Sequence, residues 1–218
     1  EPPPARELRR AGTRMTREWR DRYTQWPRDE ISPATVTLAI AITLPYDNPY
    51  DKARALESYL REHYEYTLDL EATSKEPIHF FLFERKKGHC EYFASAFAIL
   101  ARIAGIPARQ VNGFLGGEWN EYDDYIAVRA GDAHSWDEVY FPGHGWVTFD
   151  ATPASQDQLG RGGNGLLDRA RRFFDSLRFE WSKWVVQYDL AGQVGLFNDI
   201  GRVLRKAKRY LPLLGVII

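Results

Sequence analysis

The stretch Gly88-His89-Cys90-Glu91-Tyr92-Phe93-Ala94-Ser95-Ala96-Phe97-Ala98-Ile99-Leu100-Ala101-Arg102-Ile103-Ala104-Gly105-Ile106-Pro107 decides how this chain is read. From Cys90 on, Phe93, Ala94, Phe97, Ala98, Leu100, Ala101 and Ile103 leave almost no polar face, which predicts a central helix buried on most sides. Gly105 is placed to end it in the left-handed conformation, and Pro107 keeps the following chain extended. The one cysteine of the chain therefore opens a buried helix. There the unpaired backbone N–H groups and the positive end of the helix dipole favour thiolate. Gly88 lets the backbone approach closely enough to leave space for a substrate carbonyl. An inert buried thiol would fit the same position, so the helix alone does not settle the chemistry.

Downstream the texture changes. Arg109 to Leu115, Tyr125 to Arg129, Ser135 to Phe141 and Trp146 to Asp150 are short runs rich in β-branched and aromatic residues, separated by Gly, Asn and Asp. Pro142-Gly143-His144-Gly145 closes the last two into a hairpin. Period-two alternation places His134, Trp136, Glu138 and Tyr140 on one face. Counting outward from the hairpin brings Asp150 near His134 at the open end of the pair. A carboxylate beside an imidazole orients it and raises its basicity, the third role in a nucleophile–base–orienter triad. Cys90, His134 and Asp150 are thus the candidate catalytic residues, and an α+β fold is expected, helices first and antiparallel strands second.

Upstream, Asn48-Pro49 reads as an N-cap with proline at the first helical position, opening a helix that carries Ala53, Leu56, Tyr59 and Leu60 out to about His63. Tyr64 to Leu70 reads as extended and Glu71 to Glu76 as a polar loop. Val36, Leu38, Ile40, Ile42 and Leu44 alternate with small or polar residues, which by periodicity predicts a strand. The arginine-rich segment from Pro3 to Arg28 spaces Met15, Trp19, Tyr23 and Trp26 as one amphipathic helix ending before Pro27. Residues 156 to 165 read as a loop, and Leu166 to Leu190 as a helical extension.

Bulk properties bound the function. The 218 residues suffice for one compact domain with arms, and 44% hydrophobic with 27% charged residues is ordinary for a globular protein. A net charge of -1 lacks the basic surplus that phosphate binding needs, and no zinc-finger, KH, RRM or Walker pattern occurs, which sets nucleic acid aside. One cysteine forms no intramolecular disulfide and leaves the redox compartment open. The opening Glu1-Pro2-Pro3-Pro4, in place of methionine, reads as a proline-rich linker of a longer protein. Leu211 to Ile218 is almost wholly apolar and follows Arg202, Arg205, Lys206, Lys208 and Arg209. It fits either a buried or interfacial helix end or the start of a membrane span.

The order Cys, His, Asp, with Gly88 through Gly105-Ile106-Pro107-Ala108-Arg109, Val111-Asn112-Gly113, His134-Ser135-Trp136 and Phe149-Asp150-Ala151-Thr152-Pro153, resembles the transglutaminase-like superfamily with its papain-like core. The resemblance spans roughly Val36 to Pro153. It implies a buried helix carrying the cysteine packed on an antiparallel sheet, with helical N- and C-terminal extensions: an arm over 1–35, a catalytic core over 36–155 and an extension over 156–218. It also implies that Val36 to Thr43 is helical, against the periodicity. Within the family, the flanking arms resemble the extracytoplasmic domain of membrane-anchored bacterial members. That implies a domain on the periplasmic side of an inner membrane, acting on proteins or peptides that bear glutamine and primary amines.

This chain departs from the animal transglutaminases, which carry Gln and Trp beside the cysteine where His89 and Glu91 stand here. The upstream tryptophan that serves their oxyanion is also missing, since none lies between Trp26 and Trp119. The Cys90 backbone N–H is the natural first oxyanion donor, with Tyr64 and Tyr66 as upstream candidates for the second. A zinc site lacks ligands, because only His89 and Cys90 adjoin, and no cofactor is implied. Glu118, Glu121, Asp123 and Asp124 lack EF-hand spacing and read as a solvated hairpin tip rather than a calcium site. Trp119, Tyr122 and Tyr125 fit a groove border, core packing or a mobile loop equally well. The function that the resemblance implies is a protein-glutamine γ-glutamyltransferase; the alternative is a cysteine peptidase or amidase with the same triad, and the presence of Cys90, His134 and Asp150 together argues against a silent binding module.

Overall fold

A computed structural model describes residues 2–12, 14–69, 76–122, 124–153 and 173–177. The chain divides into two compact units, one holding residues up to Glu118 together with those from Ala127, the other Trp119–Ile126 and the region from Gly163 on. In the first unit the order is α1 (Ala5–Arg10), α2 (Arg17–Thr24), α3 (Pro33–Thr43), α4 (Pro49–His63) and β1 (Glu65–Tyr66). There follow α5 (Pro77–His79), which runs into a π-helical segment at Phe80–Arg85, then β2 (Lys87–Gly88), α6 (Cys90–Ile103) and β3 (Ala108–Phe114). After the β4 (Glu118–Asn120) and β5 (Tyr125–Ala127) pair come β6 (Ala133–Phe141) and β7 (Gly145–Phe149). Helices and an antiparallel β3-β6-β7 sheet make this an α+β fold, with α6 packed on the sheet and α3 and α4 packed on α6.

Helix α6 is the expected central helix: Phe93, Ala96, Phe97, Leu100 and Ala101 are all fully buried. It packs within one core with Leu56 and Leu60 of α4 and with Val139, Phe141 and Phe149 of the sheet. Each such Phe or Leu contributes about 1.5–3 kcal/mol through burial. Gly105 adopts φ 75, as its place after the helix requires. At the other end His89 is the N-cap, its Nδ1 accepting the Glu91 N–H at 3.4 Å, while Glu91 puts negative charge in the first turn.

Two helical readings change. Residues 33–43 are a helix, as the family resemblance implied, and the periodicity reading of a strand is wrong. Ser32 caps the helix through the Thr35 N–H and Pro33 opens it. The buried stripe is Thr35, Ala39 and Thr43, small residues at i, i+4 and i+8. The large residues that set up the alternation include Ile40 and Leu44, which are exposed. Small side chains let α3 lie close to its neighbours, so the packing face was hidden among residues that look neutral. The arginine-rich arm is two helices rather than one: α1 ends at Arg10, and Thr16 starts α2 afresh by accepting the Trp19 N–H. The aromatic stripe does pack as anticipated, with Trp19 against Tyr140 and Trp146 and Tyr23 against Trp146.

The helix from Pro49 has the predicted cap, with Asn48 Oδ1 accepting the Asp51 N–H at 2.9 Å. Pro77–Arg85 is helical without having been anticipated; Lys86, at φ 54, ends it and turns the chain into β2. In the β4–β5 hairpin Asn120 Nδ2 donates to the Tyr125 hydroxyl at 3.1 Å, while Trp119 and Tyr122 are exposed. Core packing is therefore excluded for those two aromatics. At the foot of the hairpin Glu118 is ion-paired with Arg129 at 2.9 Å. The polar loop at 71–75, nearly all of the region 156–218 and the apolar run Leu211 to Ile218 lie outside the described residues. No helix among the described residues is long and apolar enough to cross a membrane.

Candidate active site

Three elements converge on Cys90. Helix α6 supplies the thiol at its first residue, β6 supplies His134 and Ser135, and the chain leaving β7 supplies Asp150. The β6–β7 ladder pairs Phe141 with Gly145 and ends at Asp137 with Phe149. Continuing that register puts Asp150 opposite Trp136 and diagonal to His134. Diagonal neighbours on a sheet are within reach of longer side chains. His134 Nε2 and Asp150 Oδ2 are 2.8 Å apart. The second ring nitrogen of His134 remains for Cys90, with which the imidazole is hydrogen bonded. The three residues singled out from the sequence are thus brought together.

The electrostatics follow from these contacts. Burial is the largest influence on Cys90 and pushes the thiol up. Hydrogen bonds from His134 and from the Ser135 backbone N–H outweigh it, and the net effect is a lowered pKa. His134 is raised to about 9, chiefly by the Asp150 hydrogen bond and next by Cys90. Burial raises Asp150, but the His134 hydrogen bond and the Thr152 N–H, donated at 2.9 Å, together hold it below the usual carboxylate range. All three shifts favour a thiolate–imidazolium pair backed by a carboxylate.

Sequence reading gave no site role to Glu57, Ser135, Asn112 or Trp136. Glu57, buried on α4, accepts the Asp150 backbone N–H on Oε1 at 3.0 Å. Its Oε2 meets Arg54 Nη1 at 2.5 Å, and that guanidinium lies over the Phe149 ring. The signal was present: Glu57 is a charged residue in the stripe Tyr50, Ala53, Glu57, Leu60 that faces the core. Ser135, buried beside Cys90, donates its hydroxyl to Asn112 Oδ1 at 2.7 Å, and Asn112 is its partner across the β3–β6 ladder. Trp136 stacks on His134 with ring centroids 6.2 Å apart. It does so across Gly113, where a Cβ would come within 2.7 Å of the indole Cη2.

The two tyrosines considered for the oxyanion part ways. Tyr64 is buried and donates its hydroxyl to the Leu82 carbonyl at 3.0 Å, which commits it to the core and removes it as a candidate. Tyr66 is set by the parallel β1–β2 ladder opposite Gly88, two residues before Cys90. No group of three or more His, Cys, Asp or Glu among the described residues is placed to hold a metal ion.

A cysteine at the start of a buried helix, met by a histidine and an aspartate from an antiparallel sheet, is the arrangement of a transglutaminase-like fold with a papain-like core. The chain belongs to the transglutaminase-like superfamily, whose model matches residues 36–151. It is 41% identical over 158 residues to the uncharacterized protein YebA of Bacillus subtilis, covering 67% of this chain and 21% of that one. It is 32% identical over 160 residues to a protein-glutamine gamma-glutamyltransferase of Pseudomonas aeruginosa, covering 62% of this chain and 24% of that one. The crystal structure of the periplasmic domain of TgpA from Pseudomonas aeruginosa superposes with a TM-score of 0.57 at 34% identity, over 63% of this chain and 48% of that one. The chain spans about a fifth to a quarter of the length of the curated relatives it matches.

Proposed function

We propose that this domain is a protein-glutamine γ-glutamyltransferase in which Cys90 is the nucleophile, His134 the acid–base and Asp150 the residue that orients the histidine. The contact that carries the reading is the 2.8 Å bond between His134 Nε2 and Asp150 Oδ2, with the same imidazole bonded to Cys90. The Pseudomonas relative's name supports the choice of glutamine as acyl donor.

The Cys90 thiolate attacks the carbonyl carbon of a glutamine carboxamide, forming a C–S bond and a tetrahedral oxyanion. The Cys90 backbone N–H, in the first turn of α6 where the helix supplies no carbonyl for it, is the natural donor to that oxygen, and Tyr66 is the upstream candidate to join it. As the C–N bond breaks, imidazolium His134 gives its proton to the departing nitrogen. Ammonia leaves, and Cys90 carries a thioester. A primary amine then attacks the thioester while His134 takes its proton, giving an isopeptide bond and free thiolate. Throughout, Asp150 remains ionised and holds the ring in place.

The acceptor and donor are protein or peptide side chains, and no cofactor enters any step. The periplasmic relative supports an extracytoplasmic location in a membrane-attached parent protein.

The test is incubation with a glutamine-containing protein and a labelled primary amine. Label should enter the protein with the wild type and not with Cys90→Ala. Release of ammonia without label would make the domain an amidase or peptidase, with water in place of the amine. Absence of both would overturn the catalytic reading.

A further inference from the structure

The Cys90 site has a polar wall on the side away from Asp150. Ser135 is buried and hydrogen bonded to Cys90 by its backbone N–H, and its hydroxyl is directed to Asn112 Oδ1 at 2.7 Å. Asn112 itself is an exposed residue of β3 and directly opposite Ser135 in the ladder, so the two side chains emerge on the same face of the sheet. With its oxygen held by Ser135, the Asn112 carboxamide has a set orientation. Its Nδ2 group makes no hydrogen bond among the described residues and keeps both donors for solvent or a ligand. An amide pinned at one end and open at the other is pre-organised for an acceptor, because its rotamer entropy is already spent before binding.

We propose that Asn112 is a substrate-binding residue that donates its Nδ2–H to a main-chain carbonyl oxygen of the acyl-donor peptide, next to the glutamine that Cys90 attacks. The assignment rests on the acyl-donor reading of the site. The Ser135 side chain hydrogen bonds with both Cys90 and Asn112, so the Asn112 amide oxygen lies roughly 6 Å from Sγ. The main chain of a glutamine lies a similar distance, about 5 Å, from its own carboxamide carbon. A peptide with its carboxamide at Cys90 therefore brings a main-chain carbonyl to the distance at which Asn112 stands. The acceptor is a neutral carbonyl because the donor is a neutral amide; the thiolate nearby disfavours an anionic group there. The function of Asn112 is thus to hold the donor peptide, with no part in bond making.

The experiment measures how a short glutamine-containing peptide protects Cys90 from alkylation by iodoacetamide, in the wild type, Asn112→Ala and Asn112→Leu. Protection reads peptide binding and needs no turnover. Loss of one neutral hydrogen bond raises the half-protecting concentration about three- to ten-fold in both variants. Each half-protecting concentration is taken against the same variant's own unprotected rate, because Asn112 also holds the Ser135 hydroxyl beside the thiol. An unchanged half-protecting concentration overturns the inference. So does an equal slowing of unprotected alkylation, which would mean that Asn112 acts on the thiol through Ser135. Failure of the peptide to protect the wild type overturns it as well. If protection occurs but no amine is ever incorporated, the transfer reaction is wrong while Asn112 keeps its role.

Discussion

Glu57 Oε1 accepts the backbone N–H of Asp150 at 3.0 Å, joining α4 to the residue that follows β7. The contact links residues 93 positions apart and fixes the main chain from which the Asp150 carboxylate reaches His134. Glu57→Gln keeps an acceptor for that N–H, whereas Glu57→Ala orphans it and leaves Arg54 with the Tyr50 hydroxyl but without its carboxylate. The alanine variant is expected to lose about 1–3 kcal/mol in urea denaturation, the glutamine variant less. Cys90 alkylation near neutral pH should slow in the alanine variant, because a misplaced Asp150 no longer supports the imidazolium.

The thiolate–imidazolium pair sets a pH window. With Cys90 lowered and His134 raised to about 9, iodoacetamide alkylation should already be appreciable well below the ordinary thiol range of about 8.5. A second change is expected near pH 9, where His134 loses its proton. Asp150→Asn removes the main support of the imidazolium. His134 then falls toward its ordinary value and thiolate forms only at higher pH. Turnover of a glutamine substrate should drop by about 10²–10⁴. An alkylation profile identical to the wild type would show that Asp150 does not act through His134.

Stability should fall as pH rises through a different group. Asp137, fully buried on β6, has no hydrogen-bond partner among the described residues for either carboxylate oxygen. Burial pushes it well above the usual range, the neighbouring Arg102 charge opposes this only in part, and the Asp150 charge adds to it. Below the unfolded value of about 3.9 the group is neutral in both states and adds nothing to the pH dependence. Above it the unfolded chain releases a proton that the folded chain retains, so folding weakens with rising pH until the folded group ionises. Urea midpoints measured from pH 4 to pH 8 should show Asp137→Asn gaining on the wild type as pH rises. A constant difference would refute the neutral Asp137.

Gly113 and Trp136 should behave as a coupled pair. A methyl at Gly113 would meet the indole at 2.7 Å, so Gly113→Ala is expected to cost about 1–3 kcal/mol by overpacking. In a Trp136→Leu background the obstacle is removed, and the same substitution should be close to neutral. Independent, additive effects in the double-mutant cycle would show that the indole is free to move away.

Much of the architecture was legible. Helix α6 announced itself because a helix buried on most sides has an almost uninterrupted apolar sequence, and β6 with β7 because a hairpin needs its Pro142-Gly143-His144-Gly145 turn. Helix α3 was misread because its packing face is made of Thr35, Ala39 and Thr43, whose small size rather than hydrophobicity qualifies them for close contact. The split between α1 and α2 escaped notice because the arginine-rich composition runs on through Arg10, Arg14 and Arg17 while the helix does not.

At the site, local rules sufficed for Cys90, His134 and Asp150. A helix start, a strand period and a hairpin register are short-range properties: they set Cys90 at a helix start and Asp150 beside His134, while the family resemblance joined Cys90 to that pair. Local rules could not assign Tyr64 to the Leu82 carbonyl, give Asp150 its Glu57 anchor, or hold Asn112 by Ser135 beside the thiol. Those contacts join elements far apart in the chain, and their partners depend on how helices and sheet pack in three dimensions. The sequence by itself singled out Cys90, His134 and Asp150 as the candidate groups. Tertiary structure decided what holds and charges them, because hydrogen bonds and burial exist only once distant segments meet.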